Sequence, residues 1–153
     1  MKTNYEVVAQ KSERLHQECN EASKIIEKQV ELYTVRTKLI ECLVNGKCKP
    51  ATVDILTKDI LEQLGKITTF ELVSSDLIVC KLEIDNVIRV FCDLNVYENL
   101  DALSEMTIKF GSLVQQFMKI LNSYIQKEFN DICEFSGISP KELQEYIGVK
   151  YLN

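Results

Sequence analysis

The stretch from Phe70 to Val96, FELVSSDLIVCKLEIDNVIRVFCDLNV, constrains the fold most, because it is the one part of the chain that reads as sheet. Setting Ile84 opposite Ile88 across a loop at Asp85-Asn86-Val87 brings Leu82 to Val90, Cys80 to Cys92 and Ile78 to Leu94. Every residue so paired is apolar or cysteine, and the opposite face places Glu83 beside Arg89. A tighter loop, with Ile84 opposite Val87, would put Arg89 and Asp93 on the apolar face. A one-residue slip exchanges inside for outside, so the apolar pattern selects the first register. A preceding strand, Thr68 to Val73, joins through Ser74-Ser75-Asp76 and adds Phe70 and Leu72 to the same side. The expectation is a three-stranded antiparallel meander with one apolar face.

The rest of the chain reads as helix, which makes the expected class α+β. Val8 to Leu43 lacks glycine and proline and ends at Asn45-Gly46, a good C-terminal stop. In heptads, one seam position carries Val8, Leu15, Ala22, Gln29, Arg36 and Leu43, and the other Tyr5, Ser12, Cys19, Ile26, Tyr33 and Ile40. Gln29 and Arg36 interrupt an otherwise mostly apolar seam, and polar residues there can fix register and partner. A helix of about 50 Å exceeds the diameter of the domain that follows. It therefore lies along a second helix in a coiled-coil partner, or packs back on its own domain. Lys47 to Pro50 forms a linker, dividing a coiled-coil-like helix (residues 1–46) from an α+β head with C-terminal helices (residues 50–153).

Within the head, Thr52 to Leu64 carries an apolar stripe of Val53, Leu56, Ile60 and Leu64, with Gly65 as its stop. Met106 to Phe110 alternates well enough for a fourth strand, or opens the next helix. Ser112 to Phe135 is a helix whose Leu113, Phe117, Ile120, Leu121, Tyr124 and Phe129 suit it to cover the meander. Ser139-Pro140-Lys141-Glu142 combines an N-cap serine, a proline at the first helical position and a glutamate placed for a capping box. A last short helix with Leu143 and Ile147 should stop at Gly148.

Charge and residue usage weigh against several functions. Lys and Arg total 18 against 23 Asp and Glu, for a formal charge of −5. An acidic chain without a basic block is a poor binder of nucleic acid or anionic membrane. A helix, glycine turn and helix from Phe129 to Ile147 has helix-turn-helix spacing, but PKELQEYI holds two glutamates and one lysine, so it reads as a plain corner. No apolar run is long enough to span a bilayer, and the polar N-terminus lacks a signal-peptide core, so secretion is not expected. The six cysteines sit mainly at positions of apolar periodicity and are expected as reduced core residues, with only Cys80 and Cys92 close together. No C-x-x-C occurs and His16 is the sole histidine, set among charged neighbours, so neither zinc nor general-base chemistry has a candidate. Isolated glycines form no phosphate cradle. No catalytic, metal or cofactor residue is assigned, and no small-molecule substrate is expected.

Apolar surface is more informative. The chosen register leaves Val73, Leu77, Val79 and Phe91 together on the other side of the sheet, where a helix of this chain or a partner must cover them. With Leu15, Ile26, Tyr33 and Ile40 of the helical seam, these are the candidate partner-binding residues.

The order of long helix, linker, short helix, meander and packing helix resembles the RWD-type domains of kinetochore coiled-coil proteins. It is most similar to the C-terminal region of the kinetochore-null class of outer-kinetochore scaffold. Phe70-Glu71-Leu72-Val73 and Leu77 to Ile84 match that family's hairpin. Ile108-Lys109-Phe110-Gly111-Ser112-Leu113 matches the following segment, and Tyr124-Ile125 the helix end. The resemblance runs from about Lys66 to Gln126; the tryptophan often found at the start of such hairpins is absent, with Phe70 in its region. It implies a non-enzymatic docking subunit of a eukaryotic nuclear assembly, joined to other protein subunits at the centromere and kinetochore of the chromosome; failing that, a cytoplasmic location is expected. The other reading is an acidic chaperone-like or viral adaptor, a homodimer that masks an apolar segment of a partner and whose long helix packs on its own domain.

Overall fold

Forty-one residues without glycine or proline form α1, Asn4–Val44, and its end is set by Gly46 at φ +69. Lys47 N–H donates to Cys42 O over 2.9 Å and Gly46 N–H to Leu43 O over 3.2 Å, the paired bonds of a Schellman stop. The computed structural model describes residues 4–67, 74–95 and 100–151. After α1 come α2, Pro50–Lys66; α3, Ser75–Asp93; α4, Leu100–Ser136; and α5, Pro140–Tyr151. The fold is an all-helical bundle.

That corrects the expected α+β class and, with it, the RWD-type resemblance: among the described residues there is no strand. Leu77 to Leu94, read above as a hairpin, is helix α3 up to Asp93 and its cap at Leu94. The stretch satisfies both periods, since Leu77, Cys80, Ile84, Val87, Ile88 and Phe91 are all buried and recur at helical spacing. No glycine sits at the supposed loop Asp85-Asn86-Val87 to turn the chain, so helix propagates through it. Cys80 and Cys92 consequently lie about 18 Å apart along one axis rather than opposed across strands. Met106 to Phe110 belongs to α4, which begins well before Ser112. The expected strand from Thr68 to Val73, with Phe70 and Leu72, falls outside the described residues.

The long helix α1 packs against all four of the others, and α4 lies against α3. Their shared core centres on Tyr33, whose ring stacks on Phe110 at 4.0 Å and 6° and meets Phe91 at 4.4 Å and 33°. Three helices are thereby joined through aromatic faces, and Tyr33 Oη also shares a 2.8 Å hydrogen bond with Thr107 Oγ1. A smaller core closes the other end, where Val8 and Ala9 of α1 meet Cys133, Ile138 and Leu143. The α4–α5 corner producing it is a second Schellman stop, with Gly137 at φ +73 and Ile138 N–H donating to Cys133 O over 3.1 Å. Ser139 Oγ then caps α5 by accepting the Glu142 N–H over 3.1 Å, as its spacing predicts. The Glu142 carboxylate, instead of closing a capping box, accepts from Tyr5 Oη over 3.0 Å. Neither Gly65 nor Gly148 stops its helix.

All six cysteines are free, and Cys19, Cys80, Cys92 and Cys133 are buried. They pack as small apolar residues.

Candidate functional site

Helix α3 carries large apolar residues on both of its arcs, yet only one arc is covered. Its inward arc carries Leu77, Cys80, Ile84, Val87, Ile88, Phe91 and Cys92 against α1 and α4. The outward arc keeps Ile78 37%, Val79 53%, Leu82 53% and Val90 43% exposed. At 100° per residue these four fall within about 120° of the helix circumference. They alternate with exposed Ser75, Glu83, Asn86, Arg89 and Asp93. Between those polar residues the face holds four exposed branched aliphatics, more than a solvated helix face normally carries, so the stripe stands out as a contact surface.

The inside of the same helix also carries charge. Lys81 is 5% exposed and its Nζ bonds Asp85 Oδ2 at 2.9 Å, one turn on. Gln29 Nε2 of α1 donates to the other oxygen of Asp85, which ties α3 to the centre of the long helix. Two turns below, Arg36 Nη1 donates to Thr57 Oγ1 at 2.7 Å, and its guanidinium lies 6.0 Å from the Phe91 ring centre. Burial pulls the Arg36 guanidinium below its ordinary value, against the opposing influence of Cys92, Asp54 and Asp93. Ser12 Oγ, Gln29 Oε1 and Arg36 Nε are buried with no hydrogen-bond partner. All three belong to the α1 seam, so the seam is polar at several points although it is enclosed from Val8 to Ile40.

The eight expected partner-binding residues separate accordingly. Leu15, Ile26, Tyr33 and Ile40 are buried against helices of the same chain, where a coiled-coil partner would reach them only by parting the bundle. Leu77 is fully buried and Phe91 is 2% exposed, so both belong to the core and not to an outer face. Val79 alone lies on the outward stripe, and Val73 falls outside the described residues. Ile78, Leu82 and Val90 were missed because alternation assigns them inward. A helical projection of Ser75 to Asp93 could have found them.

Other features are weaker. His16, Asn122, Gln126, Asn130 and Gln144, together with Ile125 and Phe129, line a hollow of 520 Å³ between α1, α4 and α5. Lys24, Lys28 and Lys66 surround a shallower one of 370 Å³. Phe135 is 89% exposed, with Lys11 Nζ 5.8 Å from its ring centre. Among the described residues, no group of three His, Cys, Asp or Glu could hold a metal ion, and no helix is long and apolar enough to cross a membrane.

No family model, curated protein or solved structure matches this chain.

Proposed function

We propose that this protein is a non-enzymatic docking adaptor that works by covering an apolar helix of a protein partner with the outward face of α3. One observation carries the reading: Ile78, Val79, Leu82 and Val90 line one exposed arc of a helix whose opposite arc is already buried. The enclosure of the α1 seam favours the adaptor over a rod-and-head subunit, because a helix packed on its own domain has no seam left to offer. The kinetochore and nuclear placement rested on the RWD-type likeness, and the helical fold removes that support. Amphipathic helices commonly bind such faces through anchors at i, i+4 and i+7 spacing.

A photoreactive amino acid in place of Leu82 tests the reading in cells expressing the chain. The expected result is a discrete protein adduct, absent when the same group replaces exposed Lys119 and lost when Val79→Asp is added. Adducts equal at both positions, or none at Leu82, would reject the face as a docking surface.

A further inference from the structure

The two half-buried cysteines, Cys42 and Cys48, are folded onto one another by the turn that ends α1. Gly46 at φ +69 reverses the chain, and the Cys42 carbonyl accepts from Lys47 N–H over 2.9 Å and from Cys48 N–H over 3.3 Å. A carbonyl-to-amide contact of 3.3 Å holds the two α-carbons within about 7 Å, the limit beyond which a disulfide cannot bridge. Pro50, in the first turn of α2, fixes the far side of the linker, so Cys48 is restrained from both ends. Cys48 also packs against the main core, as Leu43 does, and its thiol hydrogen-bonds with that of Cys42. The other four cysteines are sealed away. Cys19, Cys80, Cys92 and Cys133 are at most 7% exposed, burial raises each of their thiols, and Cys80 Sγ already donates to Leu113 O at 3.4 Å.

From this juxtaposition we propose that Cys42 and Cys48 form a reversible thiol–disulfide site, oxidised by a small hydroperoxide and restored by a dithiol. The site lies at the α1–α2 turn and is independent of the docking face on α3. Oxidation takes two steps. The Cys42 thiolate attacks one oxygen of the hydroperoxide, forming an S–O bond and breaking the O–O bond. The departing oxygen takes the proton that Cys42 gave up and leaves as alcohol or water. The Cys48 sulfur then attacks the sulfenic sulfur of Cys42, forming the S–S bond and breaking the S–O bond. Hydroxide leaves and combines with the Cys48 proton as water. In all, the pair of thiols loses two electrons and one peroxide gains them. The hydrogen bond assigns the roles. It raises the Cys48 thiol, with burial adding to it, which keeps Cys48 protonated as the resolving partner and leaves the attack to Cys42.

The test exposes the full reduced chain to equimolar hydrogen peroxide, alkylates the remaining thiols and digests it with trypsin without reduction. Trypsin cuts after Lys47, so residues 39–47 and 48–58 separate unless a bridge joins them. The expected product is that linked pair. Before alkylation the intact mass should be lower by about 2 Da, and the thiol count in denaturant should fall from six to four. Dithiothreitol should restore all six. The bridge closes a short loop, so the thermal midpoint should rise by about 5 °C. Cys48→Ser should leave Cys42 as a sulfenic acid that dimedone captures, whereas Cys42→Ser should give no adduct at Cys48, each variant being checked for an unaltered thermal transition. Linkage through any of the four buried cysteines would overturn the proposal, as would sulfinic acid at Cys42 in place of a bridge. So would equal dimedone capture in the two variants, or a bridge that lowers the midpoint, since the native turn would then not hold the pair together.

Discussion

Arg36 lies 4% exposed beneath α2, with Nη1 held by Thr57 Oγ1 and Nε without an acceptor. A buried cation so thinly paired contributes little net stability, and an apolar side chain of similar reach serves as well or better. Arg36→Met is therefore expected to be neutral or stabilising by about 1–4 kcal/mol. Thr57 keeps its own bond to Val53 O in that variant. Thr57→Val is expected to cost about 1–3 kcal/mol, because it strands the guanidinium. Urea midpoints at constant slope read both signs. The cysteines give a second expectation at this scale. Burial, aided by Glu18, pushes the Cys19 thiol from 9.0 up to about 11, and burial raises Cys80, Cys92 and Cys133 in the same direction. Below pH 9.0 a thiol is neutral in both the folded and unfolded chains. Above it the unfolded chain ionises first and binds fewer protons, so stability must fall as pH rises from 9.0 toward about 11. Stability measured across that window should decline, with a shallower slope in Cys19→Ala. Gln29 and Arg36 were visible in the sequence as breaks in an apolar seam. Their partners were not, because Asp85 and Thr57 lie 56 and 21 positions away and no local pattern joins them.

The helices divide between those whose ends are written locally and the one whose period is ambiguous. α1 ends at Asn45-Gly46 and α5 begins at Ser139-Pro140 because cap chemistry needs only adjacent residues, and both boundaries could be read directly. α3 could not, since Ile78, Val79, Ile84, Val87, Ile88 and Val90 are β-branched and favour strand locally. Packing against α1 and α4 decides the matter, burying Phe91 between Tyr33 and Arg36. The two faces of α3 therefore respond oppositely to charge. On a sheet, Phe91 and Val79 would share one outer side, and Phe91→Asp would spare the fold. On this helix Phe91→Asp should unfold the protein, and even Phe91→Ala should cost about 3–5 kcal/mol. Val79→Asp, on the exposed arc, should stay within about 0.5 kcal/mol of wild type. Thermal unfolding followed by circular dichroism distinguishes them. Equal losses at the two positions would contradict the helical projection and with it the docking face.

For the molecule as a whole, the question is whether α1 is an appendage or a wall of the core. A division at the Lys47–Pro50 linker is the natural reading of a long heptad-patterned helix followed by a basic break. Heptad spacing alone does not say whether the helix along that seam comes from another chain or the same one. Here Val8, Leu15, Ile26, Tyr33 and Ile40 of the seam, with Leu32 and Leu39 beside it, are all buried against the other helices. At about 1.5–3 kcal/mol for each large side chain, they supply about 10–20 kcal/mol of apolar burial, while a domain's net stability is about 5–15 kcal/mol. Removing α1 should therefore not release a folded head. A fragment of residues 50–153 also loses the Gln29 bond to Asp85, leaving the inward-facing Lys81–Asp85 pair uncovered, and exposes Phe91 and Phe110 where Tyr33 lay. It is expected to keep helical far-ultraviolet dichroism while losing cooperative urea unfolding and amide dispersion in its proton–nitrogen spectrum. Adding a peptide of residues 4–46 in excess should restore both, since the lost contacts lie along one face of one helix. A fragment that unfolds sharply on its own would show that α1 is dispensable to the core, and its apolar seam would again be available to a partner.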